Sequence, residues 1–391
     1  MHGGEAAFLR GEFITAPESL HNHGSCIVEL PTGDLLACWY RGSGERQADD
    51  CAIVGAVWRK GASGWGARFT MADTPDLPDT NCCMIVDPRG RLWLFWPTIL
   101  DNRWESALLK VRTAEKFSDD GRPLWQTQDV VHVKPGAEFA ATIKAEVEKL
   151  RPQADDKGVR EFIDYALAAS ADKLKTRLGW MTRAHPLVIE GRRLIVPLYS
   201  DGFDFSLMAI TDDWGATWHT SAPLVSVGGV QPSVVQRRDG SLYAMMRDNG
   251  GPPQRIAHAS SFDRGETWTP VTDSALPDPG AGLEVIALAS GRWLLINNDT
   301  EKGRHSLCVR LSDDEGKTWK WSRHLERDAP DVDAGRYGYP SVIQAKDGSL
   351  HATYTVQLRP ADAKKDVTGK LAREVIRHVQ FNEAWIEAGE R

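Results

Sequence analysis

"TDDWGATW" (Thr211–Trp218), "SFDRGETW" (Ser261–Trp268) and "SDDEGKTW" (Ser312–Trp319) are three copies of one pattern, a hydroxyl or aspartate turn, a glycine and a closing Thr-Trp. Their tryptophans stand 50 and 51 residues apart, a period typical of repeat folds. In each copy Asp213, Asp263 or Asp314 supplies a side-chain acceptor that closes the turn, the glycine gives a permissive backbone, and the tryptophan covers apolar surface. These segments therefore read as hairpin tips.

A second repeat interleaves with the first. Apolar strands follow glycine turns at Gly33, Gly90, Gly191, Gly240, Gly291 and Gly348, at intervals of 57, 101, 49, 51 and 57 residues. The long interval contains an Ala-, Lys- and Glu-rich stretch, residues 137–179, with apolar residues three and four apart, which predicts helices. Removing those roughly 40 residues restores the period. Six units of several short strands predict an all-β, six-bladed propeller spanning 1–391 as a single domain, with the helical insertion at 137–179 on its substrate face. Ring closure is expected to use the late strand Glu374–Asn382 with the N-terminal strands, which brings His21 near the C-terminal blade.

The 391 residues are 41% hydrophobic and carry a net charge of −7 with both signs interspersed, so a nucleic-acid or anionic-membrane surface is not expected. No cationic start runs into an apolar segment, and no 18 consecutive apolar residues occur. A cytoplasmic protein is expected from the sequence as written, an exported one with its signal removed being the alternative. Six cysteines lie in strand-like segments without CxxC or zinc-ligand spacing, so they read as buried free thiols, and neither a metal nor a cofactor is expected.

The repeated boxes resemble the Asp boxes of the sialidase superfamily, and "VQPSVVQRRDGSLYAMMRD" and "GYPSVIQAKDGSLHATYT" are similar to its bacterial BNR-repeat members. The resemblance implies an arginine clamp for a substrate carboxylate, a tyrosine nucleophile activated by a glutamate, and an aspartate acid/base. Arg247 and Arg304 match two of the arginines, Tyr339 matches the nucleophile, and Asp50 or Asp49 falls where the acid/base belongs. Two positions depart from the pattern. His21-Asn22-His23 stands where the first arginine is expected, and Gln231, which cannot take a phenol proton, stands where the glutamate is expected.

Read from the residues, His21 and His23 at i and i+2 of an extended segment face one side and suit proton transfer or a shared ligand, with a capped turn as the plain alternative. Arg183 and His185 alternate in the same way at another blade entrance, and a guanidinium there can meet a carboxylate in bidentate fashion. Asp201 sits with Phe203 in a loop at a strand end. Together with what the resemblance implies, the catalytic set expected is His21, His23, Asp50, Gln231 and Tyr339, and the substrate-binding set Asn22, Arg183, His185, Asp201, Arg247 and Arg304. The partner that the resemblance implies is an acidic oligosaccharide or glycoside cleaved at a terminal acidic sugar. Elimination or His-dependent cleavage at a uronate, or glycan binding without catalysis, are the alternatives.

Overall fold

The computed structural model describes residues 6–153 and 155–390. Six four-stranded antiparallel sheets follow one another along the chain as the blades of a propeller. Their first strands, nearest the ring axis, are His21–Glu29, Cys83–Val86, Leu187–Ile189, Gly229–Gln236, Glu284–Ala287 and Arg336–Gln344. The second strands, such as Leu92–Ile99 and Arg193–Ser200, are buried throughout, which explains why they read as continuous apolar runs rather than alternating ones. Trp39, Trp96 and Trp293 fill space between sheets.

All six glycine turns join a first strand to a second, each at a positive φ between 65° and 90°. The three Asp boxes join third strands to fourth strands. In the last box Asp314 accepts from Thr318 N, Thr318 Oγ1 and Ser312 Oγ at 2.7–2.8 Å, and Gly316 leaves room for Trp293 and Trp319. Both repeats therefore occupy one end of the ring, and the loops between second and third strands project from the other.

Closure is by hydrogen bonding between chain ends. Glu374–Phe381 forms the third strand of the sixth blade, and Leu9–Phe13 adds to it as the outermost strand, Leu9 opposite Phe381. The N-terminal strand thus completes the last blade, and His21 shares a cavity wall with Thr355, Gln357 and Glu374.

Within 137–179 lie helices α1 (Phe139–Leu150) and α2 (Lys157–Ala171). Phe139, Ile143 and Val147 bury one face of α1, and Asp156 caps α2 by accepting from Gly158 N and Val159 N. Phe139 packs edge-on to Phe203, which stacks on Trp180 at 5.6 Å. The insertion therefore rests against the loop after Ser200, at the end of the ring opposite the Asp boxes. Phe203 is buried in this packing.

Candidate active site

Three first strands carry a residue at positive φ where they enter the ring, Gly24 (61°), Gln231 (55°) and Tyr339 (52°), and Asn81 (43°) stands just before a fourth. In three of these blades the pairing register shifts at the same place, between His23 and Cys26, Val230 and Ser233, and Gly338 and Ser341. A bulge re-aims the side chain that it carries. For Gln and especially Tyr the left-handed conformation is costly, and such strain collects at functional sites. The bulges at Gln231 and Tyr339 aim these two side chains at one place, and Asn81 joins them there, since Asn81 Nδ2 and Gln231 Nε2 both donate to Tyr199 Oη, at 3.0 and 3.2 Å.

Tyr339 is the centre of the site. Arg247 Nη1 donates to its phenol oxygen at 2.8 Å, and Gln231 Nε2 stands at 3.5 Å from the same atom. The guanidinium groups of Arg183 and Arg304 lie 5.4 and 5.3 Å from the ring centroid, and the His23 ring lies 4.2 Å away. Burial pushes the phenol up, but Arg247, Arg304 and the Gln231 amide outweigh it and bring it below the ordinary tyrosine value. Gln231 therefore cannot serve as a base here; it donates to the oxygen and favours the phenolate.

Two adjoining cavities flank this ring. One, of about 280 Å³, is lined by His21, His23, Glu45, Arg304, Arg336 and Glu374 among others. The second, of about 200 Å³, is lined by Tyr339, Glu45, Asp201, Gln231, Arg247 and Trp104 among others. Glu45 lines both. Its Oε1 accepts from Tyr40 Oη and meets His21 Nε2, each at 3.1 Å. Burial opposes its charge, but the His21 bond, the nearby His23 and the Tyr40 hydroxyl prevail and hold it at about 2. Asp201 differs: burial raises its carboxyl to about 6, against the pull of Arg247. Asp278, buried near Arg247, is pushed up to about 7 for the same reason. His23 is held well below the usual histidine value by burial and by neighbouring positive charge, so its imidazole is neutral at pH 7.

His21, His23, Gln231, Tyr339, Arg247, Arg304 and Asp201 thus converge on one place. Arg183 lies against Tyr339 but is buried, with Nη2 bonded to Pro340 O. Three expected residues do not join them. Asp50 turns back on its own loop and accepts from Ser43 N and Ser43 Oγ, while Asp49 meets Asn102; the acid that the loop sends into the cavity is Glu45. Asn22 alternates to the far face of its strand, where its Oδ1 accepts from Trp39 Nε1 and its amide donates to Glu18. His185 lies inside the ring, with Nδ1 2.8 Å from Glu284 Oε1 and Nε2 2.7 Å from Ile27 O. Glu45, Tyr40, Tyr199, Asn81 and Trp104 were not singled out from the sequence. Asn81 alone had a usable signal, since "NCCM" stands at the ring entrance in the register of "QPSV" and "YPSV".

Residues 168–352 match the BNR repeat-like domain family. A sialidase of Bacteroides fragilis is 28% identical over 157 residues, a stretch that spans 36% of this chain but only 26% of that protein. Among solved structures, an intramolecular trans-sialidase from Ruminococcus gnavus superposes with a TM-score of 0.68 at 14% identity, covering 96% of this chain and 97% of that one. A sialidase from Streptococcus pneumoniae gives 0.67 at 12% identity, over 96% of this chain and 71% of that one. A protein of unknown function from Dyadobacter fermentans gives 0.68 at 15% identity, over 96% and 99%. The chain thus has the six-bladed propeller fold of these structures, and its residues 168–352 are similar to the BNR repeat-like domain.

Proposed function

We propose that the protein is a glycosidase that cleaves a terminal acidic sugar, with Tyr339 as nucleophile. The observation that carries this reading is the phenol oxygen of Tyr339 within 2.8 Å of Arg247, at a strained bulge on the ring axis, with two more arginines on its faces. Tyrosine is the nucleophile that sialidases use in place of a carboxylate, and several proteins of similar fold are sialidases or trans-sialidases.

The phenolate attacks the anomeric carbon and forms a glycosyl–tyrosine bond as the bond to the leaving oxygen breaks. That oxygen takes the proton of Asp201, whose raised carboxyl suits a general acid near neutral pH. Water then displaces Tyr339, with Asp201 taking a proton back. Arg247 and Arg304 meet the sugar carboxylate, and the ionised Glu45 accepts from sugar hydroxyls or faces the positive charge that develops on the ring. Two carboxyl groups with environments pushed apart, Glu45 at about 2 and Asp201 at about 6, divide these tasks.

One observation favours a second reading, elimination at a uronate. His23 is a neutral imidazole beside Tyr339, and that pair can move a proton next to a masked carboxylate. Incubation with sialosides, uronides and rhamnosyl-glucuronides, with products weighed by mass spectrometry, tests both. A product that has gained water supports hydrolysis, and one with a new ultraviolet-absorbing double bond supports elimination. Turnover that survives Tyr339→Phe undiminished overturns the nucleophile assignment, and tight binding with no product makes the propeller a glycan-binding module.

A further inference from the structure

Beside the loop that carries Arg304, three different donor types meet. Asp299, Cys308 and His324 each offer one ligand atom, and these atoms lie within 4.8 Å of one another. The strands explain the meeting: Cys308 pairs with His324 on one side and with Asn297, two residues before Asp299, on the other. We propose that Asp299, Cys308 and His324 bind one divalent metal ion of the zinc type, which pins the Asn298–His305 loop and so the position of Arg304.

The donor set is one thiolate, one imidazole and one carboxylate, a combination that suits zinc or cobalt(II) and leaves a fourth position for water. The surrounding groups orient these donors. Glu390 Oε1 holds His324 Nδ1 at 2.5 Å and so directs Nε2 inward, where it lies 2.8 Å from Asp299 Oδ2. A carboxylate behind a ligating histidine is the usual supporting arrangement. Asp299 Oδ1 accepts from Ser306 Oγ at 2.7 Å, which fixes the carboxylate plane. Arg310 Nη2 stands 3.7 Å from Asp299 Oδ2, beyond hydrogen-bond reach, and balances part of the acidic charge.

The ion would take the place of the proton shared by His324 Nε2 and Asp299 and would release the thiol proton of Cys308. The plain alternative is an Asp–His–Glu polar network with a buried thiol beside it. Such a network binds no metal.

The experiment uses the full chain, stripped with a chelator and titrated with cobalt(II) and, separately, zinc. One equivalent bound, a thiolate-to-cobalt charge-transfer band in the near ultraviolet, and a rise in Tm with zinc are expected. Cys308→Ser should abolish the band, and Glu390→Gln should weaken binding by about 10- to 100-fold, as loss of a supporting partner does. The other five cysteines remain in Cys308→Ser, so an unchanged band there would overturn the proposal. So would a failure of the unmodified protein to bind more than substoichiometric metal. Neither result depends on whether any glycoside is cleaved.

Discussion

At the scale of single residues, the chemistry follows from an imbalance of charge around Tyr339. Arg183, Arg247 and Arg304 have no carboxylate within ion-pair distance among the described residues, and Arg247 Nε and Arg183 Nε are buried without hydrogen-bond partners. Desolvated cations left so are costly unless a ligand completes them. Arg247→Ala should therefore weaken a carboxylate-bearing ligand by about 2 to 5 kcal/mol, and should also raise the Tyr339 phenol, measurable by ultraviolet difference titration against Tyr339→Phe. An equal loss for a neutral analogue would make Arg247 structural. On the proposed mechanism the pH profile should be set by Asp201 rather than by His23. The acid must be protonated to work, so kcat/KM should fall as pH rises through about 6. His23 is already neutral over that range and adds no acid limb. Asp201→Asn should lose that alkaline limb and turn over poor leaving groups far more slowly than activated aryl ones.

At the scale of elements, the aspartates of the boxes and those of the site differ in what they do. Asp263 accepts from Ser261 Oγ, Thr267 N and Thr267 Oγ1 at the end of the ring away from Tyr339. Asp263→Ala should cost about 1 to 2 kcal/mol of stability and leave turnover unchanged. The boxes were legible because a turn of fixed length needs its acceptor, glycine and tryptophan at fixed spacing. The inner strands were only half legible. Tyr339, Gln231 and Arg247 stood out because their sequence frames repeat, but the bulges that aim them depend on pairing between strands, which no local pattern records. Glu45 was missed for a related reason: "GERQADD" has the composition of a solvated loop, and only its contacts with His21 and Tyr40 distinguish Glu45 from Asp50. Asn22 and His23 likewise look alike in the sequence, yet strand alternation sends one to Trp39 and the other to Tyr339.

At the scale of the whole molecule, the ring is held at its rim by the N-terminal strand and near its axis by a buried pair that reaches four blades. Glu284, in the fifth blade, accepts from His185 N and faces His185 Nδ1 with Oε1, while Oε2 accepts from Val342 N of the sixth blade at 2.7 Å. His185 leads into the third blade and reaches Ile27 O of the first. Both ring nitrogens of His185 thus face acceptors. Burial opposes its charge, but Cys26 and Glu284 outweigh that and raise it well above the usual value, while His185 and Arg183 lower Glu284 against its own burial. For a histidine raised in the folded state, the stabilisation is full below the unfolded value near 6.5 and is lost as pH rises through the folded value. Stability should therefore decline on the alkaline side. Glu284→Gln keeps the shape of the side chain but removes the charge, and should cost about 3 to 5 kcal/mol at pH 7, the penalty for stranding one member of a buried pair. Because His185 would then keep only Cys26, 3.3 Å from its Nε2, as a counter-charge, the variant should lose part of that alkaline decline, and its deficit against the unmodified protein should narrow as pH rises. Chemical denaturation of both proteins across pH 6 to 10 measures this. A deficit that stays constant with pH would mean that Glu284 acts through its hydrogen bonds to His185 N and Val342 N alone, and that the charge at the axis contributes nothing to holding the blades together.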